Sequence, residues 1–420
     1  MKSSKMTIKL SKSTQMIMLC WLVYACSYIG KLSYNANIEQ IETAFGVSHA
    51  SAGMVSTFFF FAYGIGQVVN GILCKRYNIK YVVFGSLAVA SAMNVAIVLV
   101  PSFAAMKYFW LLNGVAMSFL WTSLIRLISE TVPKGEMSRA IVAMGTTVAT
   151  GTFLVYGMSA LFVATVSYKV TFIVAAALML AVSFIWLIRF DSLAGPLREE
   201  RRLDMPTPTA ASVARSEAHS SDNGGVLLLV GVLAFFAIAN NFVKDGLTAW
   251  TPNILKSLYN TPPWLSILLT LLLPMLAIFG TVVAVNMQKR VKSFVGTCTL
   301  LFLGTTVLTG VVIALLSTQL LPVTIACFGI VSCLMAGVNN VITSMVPLYM
   351  KEKTSSGMLA GVLNGFCYLG STVSSYGLGA VADRWGWPSV FTVLISVSIF
   401  VIVLGSVYLI YTKIRSKAVA

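Results

Sequence analysis

Unbroken apolar runs of about 20 residues or more recur along this chain, separated by turn residues or charges roughly every 30 to 40 positions. A backbone that crosses hydrocarbon must satisfy its own N–H and C=O groups, which only helices and closed barrels can do. The runs are continuous, without the period-two alternation of a barrel strand, so they predict helices. With 58% hydrophobic and 10% charged residues over 420 positions, and a mean hydropathy of +0.87, the chain is too apolar for a water-soluble fold of its size. The expectation is an all-α polytopic membrane protein of twelve transmembrane helices. The spans are placed at 15–37, 51–73, 80–100, 104–130, 138–164, 169–190, 226–257, 263–287, 293–317, 321–350, 354–382 and 388–412.

The net charge of +16 invites a nucleic-acid reading, but the 29 basic residues fall mainly on alternate connections. An amino terminus in the cytoplasm gathers Lys2, Lys5, Lys9, Lys12, Lys75, Arg76, Lys80, Lys134 and Arg139 on that side. It adds Arg189, Arg198, Arg201, Arg202 and Arg215 from the central stretch, then Lys289, Arg290, Lys292, Lys351 and Lys353, and Lys413, Arg415 and Lys417 at the end. Opposite them stand Lys107, Lys169, Lys256 and Arg384. This asymmetry predicts a multi-pass protein of the inner or plasma membrane with both termini cytoplasmic, and no nucleic-acid partner. The basic start runs into a first span without a small-residue cleavage pattern, so that span reads as retained.

The seven cysteines, Cys20, Cys26, Cys74, Cys298, Cys327, Cys333 and Cys367, form no ligand-like cluster and read as small packing residues. His49 and His219 both fall in polar connections. With no nucleotide-binding loop, nucleophile set or metal-ligand cluster, neither enzyme chemistry nor a cofactor nor a metal is expected.

Residues 191–225 interrupt the pattern with charges, Met205-Pro206-Thr207-Pro208 and a Ser/Asn/Gly run, and read as a cytoplasmic linker. Six spans precede it (1–190) and six follow (226–420), giving two six-helix bundles. Lys31 and Lys244 stand at comparable late positions in the first span of each half, and the same offset carries Arg126 onto Asn339, beside Asn340. Tyr168-Lys169-Val170-Thr171-Phe172 and Trp387-Pro388-Ser389-Val390-Phe391 open the sixth and twelfth spans alike. Such repetition is the arrangement of transporters that bind substrate near the bilayer midplane between halves.

A lysine at mid-bilayer costs roughly 2.5 to 3.5 kcal/mol on insertion scales, so two of them need a partner, a wet cavity or a ligand. On span one Tyr24, Tyr28, Lys31 and Asn35 follow i, i+4, i+7 and i+11, putting two phenols, an ammonium and an amide on one face. On span seven Asn240 and Asn241 precede Lys244 by about one turn and Thr248 follows by one. Two such faces can hold an oxyanion between ammonium groups and neutral donors. Two other roles stay open: Lys31 could snorkel to the nearer interface, and Lys244 could pair with Asp245, although adjacent helical residues diverge.

Asn241-Phe242-Val243-Lys244-Asp245-Gly246-Leu247 with Trp250-Thr251-Pro252, Gly357 through Ser371 ending at Asp383-Arg384-Trp385-Gly386-Trp387, and Trp121 through Arg126 carry a resemblance. They resemble spans seven, eleven and four of the organophosphate:phosphate antiporter family of the major facilitator superfamily, the glycerol-3-phosphate and hexose-phosphate transporters. The resemblance implies twelve helices in two bundles, phosphate clamped at the positions of Lys31 and Lys244, and a cavity lined by Tyr24, Tyr28, Tyr63 and Tyr368. That family characteristically clamps with arginine. Lysine keeps the charge and loses the planar fork, which supports an anion more firmly than phosphate itself. The fifth-span histidine of glycerol-3-phosphate transporters has no counterpart between Ala140 and Leu161, and Lys75 replaces the usual aspartate of the loop after span two.

The expected function is alternating-access transport of a small organic anion, an organophosphate exchanged for phosphate, bound by Lys31 and Lys244. Tyr24, Tyr28, Asn35, Tyr63, Asn241, Asn340, Asn364 and Tyr368 are the further binding candidates, with Asn339 and Ser371 as plausible contributors and Arg126 and Asp245 for gating or coupling. Gly145, Gly151 and Gly157 on span five predict close helix packing. Expected partners are the small anion and the bilayer, and a monomer suffices. The alternatives are a proton-coupled carboxylate or other organic-anion transporter, and a transporter-like membrane sensor of sugar phosphates.

Overall fold

The computed structural model describes residues 11–73, 76–203, 223–350 and 356–419, and helices account for nearly all of them. Spans one to six are Lys12–Ala36, His49–Leu73, Ile79–Leu99, Phe103–Thr131, Met137–Thr165 and Tyr168–Leu203. Spans seven to twelve are Asn223–Tyr259, Pro263–Val291, Phe294–Leu315, Leu321–Tyr349, Ser356–Trp385 and Trp387–Val419. A short helix, Ile38–Phe45, links spans one and two and ends at Gly46, whose φ of 61° lies in the left-handed region that glycine tolerates.

Among the described residues eleven helices are long and apolar enough to cross a membrane by length and composition. The other, span eleven, has the length, 30 residues, but carries Asn364, Ser371, Ser374 and Ser375. Its place explains its polarity: it packs between span two and span seven, where a peripheral helix would meet lipid. Span six stays helical to Leu203, past the expected start of the linker, while residues 204–222 lie outside the described set, as do Lys75, Cys74 and His219.

The same packing scheme occurs twice. Span one lies on span five, two on four and three on six, as seven lies on eleven, eight on ten and nine on twelve. The halves then exchange contacts symmetrically, span two against eleven and span eight against five. The weak internal repetition of the sequence therefore corresponds to a pseudo-two-fold fold, and an even number of crossings leaves both chain ends on one side, here called the terminal side.

Three spans are interrupted, each for a local reason. Span four breaks at Phe119, and the Asn70 amide of span two donates to the freed carbonyls of Ser118 and Phe119 at 3.3 and 3.1 Å. Span eight breaks at Leu271, three residues before Pro274, which has no N–H to continue the ladder. Span ten carries a π-helical turn at Val341–Met345 just ahead of Pro347. Of the three span-five glycines only Gly151 sits at a crossing: a Cβ there would lie 2.4 Å from the Ala25 carbonyl oxygen, whereas Gly145 and Gly157 face open space.

Candidate functional site

Lys31 points into the molecule and is 6% exposed, which removes the snorkelling alternative. Its ammonium lies 4.2 Å from the Tyr63 ring centroid, 4.8 Å from Tyr28 and 5.0 Å from Tyr368, with Phe59 and Phe60 slightly farther. The Tyr368 hydroxyl accepts from it at 3.4 Å. Among the described residues it forms no salt bridge, so π faces and one phenol are its direct contacts. Tyr24 backs this box, 5.4 Å from Tyr28 and 4.7 Å from Trp121 between centroids, and the four phenols lie close enough to act on one another. Spacing on span one foretold Tyr24 and Tyr28. The contribution of Phe59, Phe60 and Tyr63 comes from span two packing across.

On span seven the Lys244 ammonium sits 3.3 Å from a carboxylate oxygen of Asp245, so the pairing left open by the sequence is formed. Adjacent helical residues do diverge, but the long lysine stem curls back. The other Asp245 oxygen accepts from the Ser371 hydroxyl at 2.6 Å and the Asn241 amide at 3.1 Å, and the same amide reaches Ser371 at 3.1 Å. Asn240 donates to the Asn241 carbonyl at 3.0 Å. Span eleven thus fixes the acidic side chain of span seven through Ser371.

The charges of Asp245 and Lys244 both act on Lys31, which puts the three in one site between the halves. Lys244 and Asp245 are 26% and 22% exposed against the deeply buried Lys31. The arrangement is a wet rim and a dry aromatic floor, with two cations and one anion. Tyr156 on span five packs in an adjoining apolar cluster with Ile29 and Ile267; its buried hydroxyl has no partner among the described residues and lies within the field of Asp245. The sequence reading missed it because one tyrosine in an apolar run looks like packing.

Other candidates are placed differently. The Asn35 carbonyl oxygen accepts from Ser56 at 2.6 Å, so this amide ties span one to span two. Asn340 and Asn364 are half-buried on spans ten and eleven without a hydrogen bond to the Asp245 network, while Asn339 accepts weakly from Cys367 at 3.8 Å. Arg126 stands apart on the terminal side, donating to Glu130 at 2.6 Å, and Arg198 on the extended end of span six holds the second Glu130 oxygen at 2.7 Å.

The side opposite the termini is clamped. Lys256 of span seven pairs with Glu39, and Asn253 donates to Glu42, which also pairs with His49 at 3.0 Å. The Asp383 carboxylate of span eleven accepts the backbone N–H groups of His49 and Ala50 at 3.0 and 2.8 Å, a helix N-terminus capped from the other half. The His49 ring packs against Trp387 and Trp250, at 5.0 and 5.9 Å. These contacts close that end, while Lys244 and Asp245 farther along span seven remain partly exposed.

The model of the Major Facilitator Superfamily matches residues 20–374. The membrane sensor protein UhpC of Escherichia coli (strain K12) is 21% identical over 90% of this chain and 88% of its own length. A probable hexose phosphate transport protein of Chlamydia muridarum (strain MoPn / Nigg) is 21% identical over 89% of this chain and 86% of its own. Among solved structures, a bacterial homolog to the human lysosomal transporter Spinster, in an inward-facing and occupied conformation, superposes with a TM-score of 0.72 at 12% identity. That superposition covers 96% of this chain and 98% of the homolog.

Proposed function

This chain belongs to the Major Facilitator Superfamily, and from that membership we propose that it exchanges a small organic anion, of the sugar-phosphate kind, for another anion by alternating access. It is a multi-pass membrane transporter related to hexose phosphate transport proteins and to the sensor UhpC, and not an enzyme. The observation that carries the finer reading is Lys31: a buried lysine without a salt bridge among the described residues, set within the fields of Asp245 and of a second lysine from the other half.

An anion entering from the terminal side meets Lys244 at the rim, then Lys31 and the phenols at the floor. Binding neutralises the excess positive charge, and the loaded halves can close on the terminal side as the opposite clamp opens. An empty site stays charged and closes reluctantly, which favours exchange over net flow. The basic connections favour a cytoplasmic side for both termini in an inner or plasma membrane, and on that orientation the closed clamp corresponds to an inward-facing state. The partners are the anion and the bilayer, and one chain contains the whole site.

Asp245 supports a second reading, in which proton uptake drives entry of a carboxylate. Proteoliposomes loaded with phosphate, organic phosphates or carboxylates and supplied with labelled phosphate separate the two. Exchange predicts acceleration by internal anion whatever the proton gradient. Uptake that follows the gradient and ignores internal anion would support the second reading, and binding without turnover would support a sensor.

A further inference from the structure

We infer that Asp245 makes this site selective for singly charged anions, and the inference rests on the anion-site reading just given. With Lys31 and Lys244 as ammonium groups and Asp245 as a carboxylate paired to Lys244 at 3.3 Å, the empty site carries one net positive charge. The acid is built in: Ser371 and Asn241 hold one carboxylate oxygen from two different helices while Lys244 holds the other. It is therefore a fixed part of the wall that a substrate meets.

A singly charged anion brings the loaded site to neutrality, the condition under which the halves can close around it without stranding a charge in a low-dielectric interior. A doubly charged anion leaves one negative charge uncompensated and sets its second charge against Asp245, where like charges repel strongly. The Tyr156 hydroxyl, without a partner among the described residues, is a neutral donor and leaves the count unaltered. A phosphate ester would accordingly be taken in its singly charged, protonated form, and a sugar carboxylate or sulfate ester of the same size would be accepted as it stands.

The test uses two probes of one shape and different charge, glucose 6-sulfate and glucose 6-phosphate. At about pH 7, one unit above the second phosphate pKa of about 6, the first carries one negative charge and the second mostly two. Affinity is read from ligand-induced thermal stabilisation of the purified full-length protein. The wild type is expected to bind the sulfate ester roughly tenfold more tightly, the weight of one charge-assisted contact. Asp245→Asn keeps the hydrogen-bonding shape and should move the preference toward the phosphate ester by a similar factor, while Asp245→Glu should retain the wild-type order. If Asp245→Asn does not fold, Lys244→Gln is expected to sharpen the preference for the sulfate ester.

A wild type that prefers the phosphate ester, or an Asp245→Asn that weakens both esters equally, would reduce Asp245 to a structural tie and overturn the inference while leaving the anion site standing. Binding of neither ester to the wild type would remove the anion-site reading, and the inference with it.

Discussion

Replacing Lys31 with methionine should make the empty protein more stable and abolish its response to anions. Mid-bilayer lysine costs about 2.5 to 3.5 kcal/mol. Three aromatic rings lie within 5.0 Å of this ammonium, and desolvated cation–π contacts contribute roughly 0.5 to 2 kcal/mol, not additively around one charge. An offset of about 2 kcal/mol leaves the empty site unfavourable by roughly 1 kcal/mol. Methionine fills a similar volume, carries no charge and packs well against ring edges, so a gain of about 1 to 2 kcal/mol is expected. The substrate's own contribution disappears in exchange: a ligand at a hundredfold excess over its dissociation constant stabilises the wild type by about 2.7 kcal/mol, and the variant by nearly nothing. Thermal unfolding followed by tryptophan fluorescence, with and without organic phosphate, reads both numbers. A Lys31→Met protein that melts below the wild type, or that keeps the ligand-induced shift, would refute the argument that Lys31 is a charge held ready for an anion.

Four more expectations concern the clamp opposite the termini and the packing beside it. Asp383→Asn weakens the capping of the His49 helix end by about 0.5 to 2 kcal/mol, so a cysteine introduced by Thr57→Cys, which sits against Thr372, should react faster with an impermeant thiol reagent applied from that side. Gly53→Ala would place a Cβ 2.0 Å from the Ser375 carbonyl oxygen across the halves and should hold the same side open. Gly370→Ala, 2.0 Å from the Ile238 carbonyl oxygen within one half, should instead lower the unfolding temperature at a cost of about 1 to 3 kcal/mol. Burial raises the Glu42 carboxyl above its ordinary range, against the opposing hydrogen bonds of His49 and Asn253. The closed form therefore holds the proton more tightly than a form with Glu42 in water, so this group favours closure most below about pH 4.3 and loses that effect as pH rises through the raised value. His49, Glu39 and Lys256 face the same cluster, so the expected rise of thiol reactivity with pH is assigned to Glu42 only if Glu42→Gln flattens it.

The spans were legible because membrane crossing demands continuous apolar helices, and their expected ends fall within a few residues of the observed ones except where span six continues to Leu203 and span twelve to Val419. Span eleven was found from its motif and punctuation; hydropathy alone passes it over, since a helix buried among protein can afford serines and an asparagine. The face of Tyr24, Tyr28 and Lys31 follows from helical spacing, but Asn35, on the same face two turns from Tyr28, is drawn away by Ser56 of a neighbouring helix. No spacing rule shows the Lys244–Asp245 pair, because it depends on how a flexible stem folds back against a carboxylate anchored by Ser371. Lys256 with Glu39 and Asp383 with His49 are equally invisible, joining residues far apart in the chain through the packing of the halves.

If Lys31 and Lys244 hold one anion from two sides, anion counterflow in proteoliposomes must depend on both charges. Lys31→Arg and Lys244→Arg keep the charge and are expected to retain exchange of labelled phosphate for organic phosphate, whereas Lys31→Gln and Lys244→Gln, each folded and inserted, are expected to lose it. Full exchange by both glutamine variants would contradict the account.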